Sequence, residues 1–495
     1  MTKENNKQIA SCLAMTEGNV IANGVKQSAN KKEIASARLL RTSQQELRND
    51  ETNKNASLRD FSSKQSLSLV PKLRFKEFEG EWIKTTLGDL FTFKNGLNSD
   101  KEKYGTGIKF INVLDIIGES VITYDSIFGK VEITDKELEK NEVIYGDVLF
   151  QRSSETREEV GQANVYVDKN KSAVFGGFVI RGRKKVDYNP YFINYLLKTS
   201  SARKEITTKS GGSTRYNVGQ DSLSEVLIKL TNLKEQQKIA TFLTAVDTKL
   251  QQLNKKKELL ANYKKGVMQQ LFSQQLRFKP TPSLRGTKQS LDNNKKFPDW
   301  EEKRLGEVCI KIQDGNYGAS YPKTNEFIEI GIPFLTSKAL GTGGSIISNK
   351  IDFIPIKKHQ ELKKAHLMLN DVLFTNRGAN VGAIAFVDTT ISHGNIGPQL
   401  TLLRVDMNII ESTFLYHSMN SFKVRKQVRS QDSGSAMNFF GIGATSKFKI
   451  SLPSLKEQQK IATYLSAIDT KIENVQTQID KTQAFKKGLL QQMFV

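Results

Sequence analysis

The chain has 495 residues, enough for two to four domains that each bury a core. Its 74 lysines and arginines against 52 aspartates and glutamates leave a formal charge of +22, which suits a polyanionic partner because cations beside phosphates release condensed counterions. Two distant cysteines (Cys12, Cys309), four histidines without metal-ligand spacing and no apolar run near roughly 18 residues argue against a disulfide framework, a zinc site and a membrane span. Lys3 and Lys7 precede only a short apolar stretch, Ile9 to Met15, a poor secretory signal, so the expected location is cytoplasmic.

In chain order, residues 1–70 mix Asn, Ser, Lys and Gln without sustained periodicity and are expected to form a poorly ordered tail. Residues 71–232 read as a first mixed α/β module. Its runs GIKFINVLDI (107–116), EVIYGDVLF (142–150) and SAVFGGFVIRG (172–182) predict strands, and 190–204 predicts a helix opened by Pro190. A helix follows over 233–279, a linker over 280–296, a second module over 297–454 and a last helix over 455–495. In the second module GIPFLTSKAL (331–340), LMLNDVLFTN (367–376) and LTLLRV (400–405) take the strand roles, and 412–428 the helical one.

Self-comparison is the most informative test. LKEQQKIATFLTAVDTK (233–249) and LKEQQKIATYLSAIDTK (455–471) differ only at Phe242/Tyr464, Thr244/Ser466 and Val246/Ile468. KKGVMQQLF (264–272) and KKGLLQQMF (486–494) keep the same offset of 222 residues. Weaker echoes precede each copy: FEGEWIKTTLG (78–88) and FPDWEEKRLG (297–306), then GDVLF (146–150) and NDVLF (370–374), followed by Arg152 and Arg377. GGST (211–214) and SGSA (433–436) are a third pair. Two diverged modules are thus joined to two nearly unchanged helices.

Those helices carry a coiled-coil seam. Ile461, Leu465, Ile468, Ile472, Val475 and Ile479 step alternately by four and three, as do Ile239, Leu243, Val246, Leu250 and Leu253. Lys257 and Lys264 interrupt the first seam and are expected to face solvent or a partner. Asn232 or Thr231 is expected to cap the first helix and Ser454 the second. About 40 helical residues span roughly 60 Å, so an antiparallel pair would make a rigid spacer.

Three short matches tempt an enzymatic reading. Asn189-Pro190-Tyr191 lacks the second proline of an amino-methyltransferase motif, and Pro190 is better explained as a helix start. Phe439, Gly441 and Gly443 resemble a cofactor loop but leave no room for a nucleotide-binding domain before the last helix. Pro298-Asp299 and Glu301-x-Lys303 lack the spacer of a nuclease motif. No catalytic residue, metal or cofactor is expected. Candidate DNA contacts in the first module are Gln151, Arg152, Ser153 and Arg157, then Lys209, Ser213, Arg215 and Tyr216 in a Gly-Ser loop. Those in the second are Thr375, Asn376, Arg377 and Asn380, then Gln431, Ser435 and Asn438. Arg suits guanine, Asn and Gln suit adenine, and Lys suits phosphate.

With PKLRFKEFEGEW, the GDVLF strand, the Gly-Ser loop and LKEQQKIA leading to KKGLLQQ in view, the chain resembles the specificity subunits of type I restriction–modification systems over about residues 71–495. The resemblance implies an α+β or mixed α/β fold: two target-recognition domains related by a pseudo-two-fold repeat and separated by two long antiparallel coiled-coil helices. It also implies a bipartite double-stranded DNA target, two docked methyltransferase subunits and motor–nuclease subunits joined through them. Modules reading different half-sites should diverge, while surfaces meeting identical partners should stay alike. The competing readings are a single-chain nuclease or methyltransferase and a coiled-coil scaffold whose charge is incidental.

Overall fold

The computed structural model describes residues 69–118, 120–280, 297–341, 344–391, 393–430 and 439–495, the side chain of Ala319 excepted. The tail expected over 1–70 lies outside them apart from Leu69 and Val70, and the linker expected over 280–296 lies outside them beyond Pro280. The chain divides into two compact units, one of residues 1–249 with 482–495, the other of residues 250–481.

The first unit begins with β1 (Ile83–Thr86), α1 (Leu87–Leu90), β2 (Phe91–Asn95), β3 (Tyr104–Ile111) and α2 (Val113–Ile117). There follow β4 (Lys130–Val131), α3 (Asp135–Asn141), β5 (Val148–Gln151), β6 (Ser153–Ser154), β7 (Ala163–Val165), β8 (Val174–Phe175) and β9 (Val179–Lys184). α4 (Pro190–Leu197), α5 (Ser200–Thr208), β10 (Tyr216–Asn217), α6 (Gln220–Ser224) and β11 (Leu227–Leu230) lead into the long α7 (Leu233–Phe272).

The second unit runs β12 (Glu301–Arg304), α8 (Leu305–Val308), β13 (Cys309–Asp314), β14 (Ile332–Leu335), β15 (Asp352–Ile354), α9 (Ile356–Glu361) and β16 (Val372–Thr375). β17 (Ile384–Phe386), β18 (Asn395–Ile396), β19 (Leu400–Val405), α10 (Ser412–Met419), α11 (Phe422–Ser430), α12 (Ile442–Thr445), β20 (Lys449–Leu452) and α13 (Leu455–Gln492) complete it. The sheets correspond strand for strand: β2-β9-β5-β7 with β13-β19-β16-β17, β4-β3-β8 with β15-β14-β18, and β1-β11 with β12-β20. The duplicated mixed α/β architecture expected from the sequence is the one observed.

Several strands are shorter than their apolar runs. Asn112 caps α2, with Asp115 returning the bond, so the strand read across 107–116 stops at Ile111. Gly146 turns the chain at φ +92° and delays β5 to Val148; its counterpart Asn370 does so at φ +72°. Glycine and asparagine are the residues that accept this left-handed conformation at least cost, which accounts for GDVLF in one copy and NDVLF in the other. The next residue is a buried aspartate in both: Asp147 pairs with Arg183 at 2.9 Å and Asp371 with Arg404 at 2.8 Å. The helices expected over 190–204 and 412–428 are each broken into two. Asn189 caps α4 by accepting from the Phe192 amide, with Pro190 in the first turn.

The repeated helix sequence has an internal cause. Glu235 and Glu457 are fully buried and grip Arg74 and Arg277 through both oxygens, at 2.8 and 2.7 Å and at 3.1 and 2.8 Å. Gln236 and Gln458 accept from the amides of Asn189 and Glu411 and donate to the carbonyls of Thr231 and Pro453. Each copy of LKEQQ therefore fastens the segment before its module and the start of α4 or α10. The identity expected to mark a partner surface also serves to hold each unit together.

Both long helices contribute to both units. In the first, Ile239, Leu243 and Val246 share a core with Trp82, Leu489, Met493 and Phe494. In the second, Ile461, Leu465 and Ile468 share one with Val267 and Leu271, while Leu253, Val475 and Ile479 form a separate cluster. Lys257 donates to Gln476 and Lys264 pairs with Asp469, so within the second unit the helices run antiparallel. Of the two expected surroundings, solvent or a partner, these lysines therefore meet neither a separate subunit nor open solvent here but the neighbouring helix of the same chain. In the first unit Asp247 and Lys486, the counterparts of Asp469 and Lys264, pair at 2.6 Å. Asn232 caps α7 by accepting from the Glu235 amide at 3.0 Å. The Ser454 hydroxyl expected to cap α13 makes no hydrogen bond among the described residues; its carbonyl accepts from the amides of Glu457 and Gln458.

Candidate nucleic-acid interface

In the first unit the two predicted contact segments meet. β6 pairs antiparallel with β10, setting Ser153 against Asn217 and Ser154 against Tyr216, and the Ser153 hydroxyl donates to the Asn217 side chain. Gly211 and Asn217 exchange backbone bonds, closing the Gly-Ser loop. Gly212 sits at φ +114° with the Arg215 carbonyl 2.1 Å from where a Cβ would stand, so the turn demands glycine. A cleft of about 370 Å³ is lined by Gln151, Ser153, Ser154, Phe178 and Arg215, with Glu155 and Glu159 also on its wall.

Arg152, Ser213 and Arg215 are exposed. Arg157 is exposed too, and its Nε donates to the Thr207 carbonyl at 3.1 Å, tying its loop to α5. Lys209 is engaged by Glu225 at 3.0 Å. Gln151 is buried and donates to the Ser153 carbonyl, so it shapes the loop from beneath.

The second unit repeats the frame with other side chains. Phe440 N–H donates to the Asn376 carbonyl as Val218 N–H donates to that of Arg152, and Arg377 bridges to Phe439 where Ser153 pairs with Asn217. The structural counterpart of Arg152 is therefore Asn376, not Arg377 as the order of residues after the strand suggested. Arg377 lies 4.5 Å over the ring of Phe439, which is half exposed. Asn380 is exposed.

Thr375 and Asn376 are both fully buried. The Asn376 amide donates to Asp314 at 3.1 Å and to Thr401 at 3.0 Å, and its oxygen accepts from Arg377 Nε at 3.2 Å. Its place in a closed network corrects its reading as a side chain that reaches DNA; Thr375 is likewise turned into the sheet. Gln431, Ser435 and Asn438 lie outside the described residues.

The DNA-specificity domain of type I restriction–modification systems matches twice, over residues 79–261 and 298–483. The chain belongs to this family. A putative type I restriction enzyme MjaX specificity subunit from Methanocaldococcus jannaschii is 26% identical over 429 residues, covering 85% of this chain and 94% of the relative. The type I restriction enzyme StySPI specificity subunit from Salmonella potsdam is 24% identical over 352 residues, covering 68% and 71%. Among solved structures, the type I restriction–modification S subunit from M. genitalium superposes with a TM-score of 0.54 at 19% identity, covering 86% of this chain and 99% of that one.

Against that family background, sequence reasoning misses Phe178, 63% exposed on the wall of the first cleft. Phe178 sits inside a run that reads as continuous strand, where an aromatic signals core rather than surface. Arg203 and Arg425 are positioning groups. Arg203 holds the carbonyls of Glu158, Val160 and Gly161, while Arg425 holds the Gly382 carbonyl and the Asn420 side chain, each supporting the loop beside a candidate contact. Among the described residues no group of three His, Cys, Asp or Glu could hold a metal, and no helix is long and apolar enough to cross a membrane.

Proposed function

We propose that this chain is the sequence-reading, non-catalytic subunit of a type I restriction–modification complex, acting in the cytoplasm on a bipartite duplex target. One observation carries the reading: a single framework occurs twice, and the exposed side chains it presents differ between copies. Arg152, Arg157, Ser213, Arg215 and Tyr216 would read one half-site; Arg377 and Asn380 would read the other, with Gln431, Ser435 and Asn438. The two long helices would set the gap between half-sites. Their identical exposed residues Lys234, Gln237 and Thr241, and Lys456, Gln459 and Thr463, offer equivalent faces to two methyltransferase subunits, through which motor–nuclease subunits join.

The test is methylome sequencing of cells carrying the chain with its methyltransferase partner, alongside assays of the purified chain alone. A split methylated motif that disappears when this chain is deleted is the expected result. Methyl transfer or strand cleavage by the chain by itself would instead establish the single-chain enzyme.

A further inference from the structure

One arginine of the second unit is oriented before any ligand arrives. Arg377, two residues past the end of β16, is half-buried, and its guanidinium carbon lies 4.5 Å over the ring of Phe439. Its Nε donates to the Asn376 side-chain oxygen at 3.2 Å. That oxygen is itself held. The same amide donates to the Asp314 carboxylate at 3.1 Å and to the Thr401 hydroxyl at 3.0 Å, and Thr401 donates to Asp314 at 2.6 Å. Asp314, Asn376 and Thr401 are all buried. A carboxylate only accepts, so Asp314 fixes which end of the Asn376 amide faces Arg377. Ring and Nε bond together set the guanidinium plane, while Nη1 and Nη2 have no hydrogen-bond partner among the described residues.

The candidate arginines of the first unit are placed differently. Arg157 spends Nε and Nη2 on the carbonyls of Thr207 and Thr208, and Arg152 spends Nη1 on that of Gly177. The Arg215 side chain has neither a hydrogen bond nor a ring contact among the described residues. Strand register sets Asn95, Ile180, Arg152 and Ser153 where the second unit has Asp314, Thr401, Asn376 and Arg377. The fixed offset of 222 residues gives Thr92, Val179, Ser154 and Glu155 instead. Neither correspondence restores the relay.

A free Nη pair offers two parallel N–H donors. Guanine presents two adjacent acceptors, N7 and O6, in the major groove, whereas adenine sets an acceptor beside a donor and cytosine presents a donor. A phosphate also accepts in pairs. The locked fork favours a base edge, whose acceptors stand in one fixed plane, over a phosphate, which a mobile lysine serves as well. We propose that Arg377 reads one guanine of the second module's half-site through N7 and O6, with Phe439 and Asn376 as positioning residues. The inference rests on the DNA-reading function proposed above and names a base its target must contain.

The experiment measures binding of the full chain, assembled with its methyltransferase, to a duplex carrying the methylated motif and to a motif-free duplex. Each guanine of the motif, on both strands, is replaced in turn by 7-deazaguanine, which lacks N7, or by hypoxanthine, which keeps N7 and O6. At one guanine 7-deazaguanine should weaken binding about fivefold or more, and hypoxanthine should not. In Arg377→Lys the 7-deazaguanine penalty should vanish at that position and persist at any guanine read by the first module. Phe439→Leu should reduce the same penalty while leaving affinity for the motif-free duplex unchanged; a merely structural role would weaken both duplexes alike. A motif without a G·C pair overturns the proposal, as does a set of 7-deazaguanine penalties that Arg377→Lys leaves unchanged. Equal weakening of both duplexes by Arg377→Lys would make the contact a phosphate contact and overturns it too. If the unaltered assembly binds neither duplex, the proposed function itself falls.

Discussion

Arg152 and Arg215 stand where the two loops of the first unit converge, exposed and without a carboxylate partner among the described residues. Replacing both with alanine should reduce discrimination at one half-site by about 1–3 kcal/mol for each base no longer gripped, leaving the other half intact. Binding to duplexes scrambled in one half-site at a time checks this; equal loss at both halves would mean the modules do not read independently. Asn376→Ala should behave differently. It leaves Asp314 and Thr401 short of a buried partner, which costs about 1–3 kcal/mol of stability and shows as a lower melting temperature. The sequence could not separate these cases: a polar residue just after a strand looks like a loop, and Asn376 owes its burial to strands 62 and 25 positions away.

His417 gives a second residue-scale test. Burial, with Lys264 nearby, pushes its imidazole down to about 3, and its Nε2 lies 3.3 Å from the Ser466 hydroxyl. In the unfolded chain it titrates near 6.5, so the unfolded state takes up a proton first as pH falls. The stabilisation from keeping it neutral is complete above pH 6.5 and is lost as pH drops toward about 3. Between pH 7 and pH 5 this one group removes about 2 kcal/mol. Denaturant titrations at both pH values should show the loss, and His417→Gln should flatten it. An equal pH dependence in the variant would assign the effect elsewhere.

At the scale of elements, the twin clasps Arg74–Glu235 and Arg277–Glu457 fix where each module meets its long helix. Arg277→Met leaves Glu457 buried, with Trp300 Nε1 at 3.2 Å as a side-chain donor, and should cost on the order of 3 kcal/mol. Lys423→Met breaks a pair exposed on both sides and should shift the unfolding midpoint far less. Equal shifts would deny the clasp its structural role. Periodicity reveals the helices because repeated apolar positions record a buried stripe. It cannot reveal the clasp, since Arg74 and Glu235 are 161 residues apart and an arginine beside Phe75 reads as an ordinary surface cation. The place of Lys264 is hidden for a related reason. A lysine in a seam looks like an interruption until Asp469, 205 residues away, is placed opposite it.

For the whole molecule, order along the chain and membership of a unit are different things. The sequence divides naturally into module, helix, module, helix, yet residues 482–495 belong with the first module. Leu489, Met493 and Phe494 are buried in its core, Phe494 lies 6.0 Å from Trp82, and the Leu73 amide donates to the Gln492 carbonyl. Each large apolar side chain removed from such a core costs roughly 2–5 kcal/mol, so removing three approaches the roughly 5–15 kcal/mol that holds a typical domain together. Deleting residues 482–495 should therefore unfold the first unit while sparing the second, although the deleted helix end directly continues the second unit's own sequence. Hydrogen exchange resolves the two: amides in β5 and β9 should lose protection, and those in β16 and β19 should keep it. Loss confined to the second unit would show that α13 serves only the module preceding it, and the duplicated framework would then lack the helix exchange that makes each unit depend on both halves of the chain.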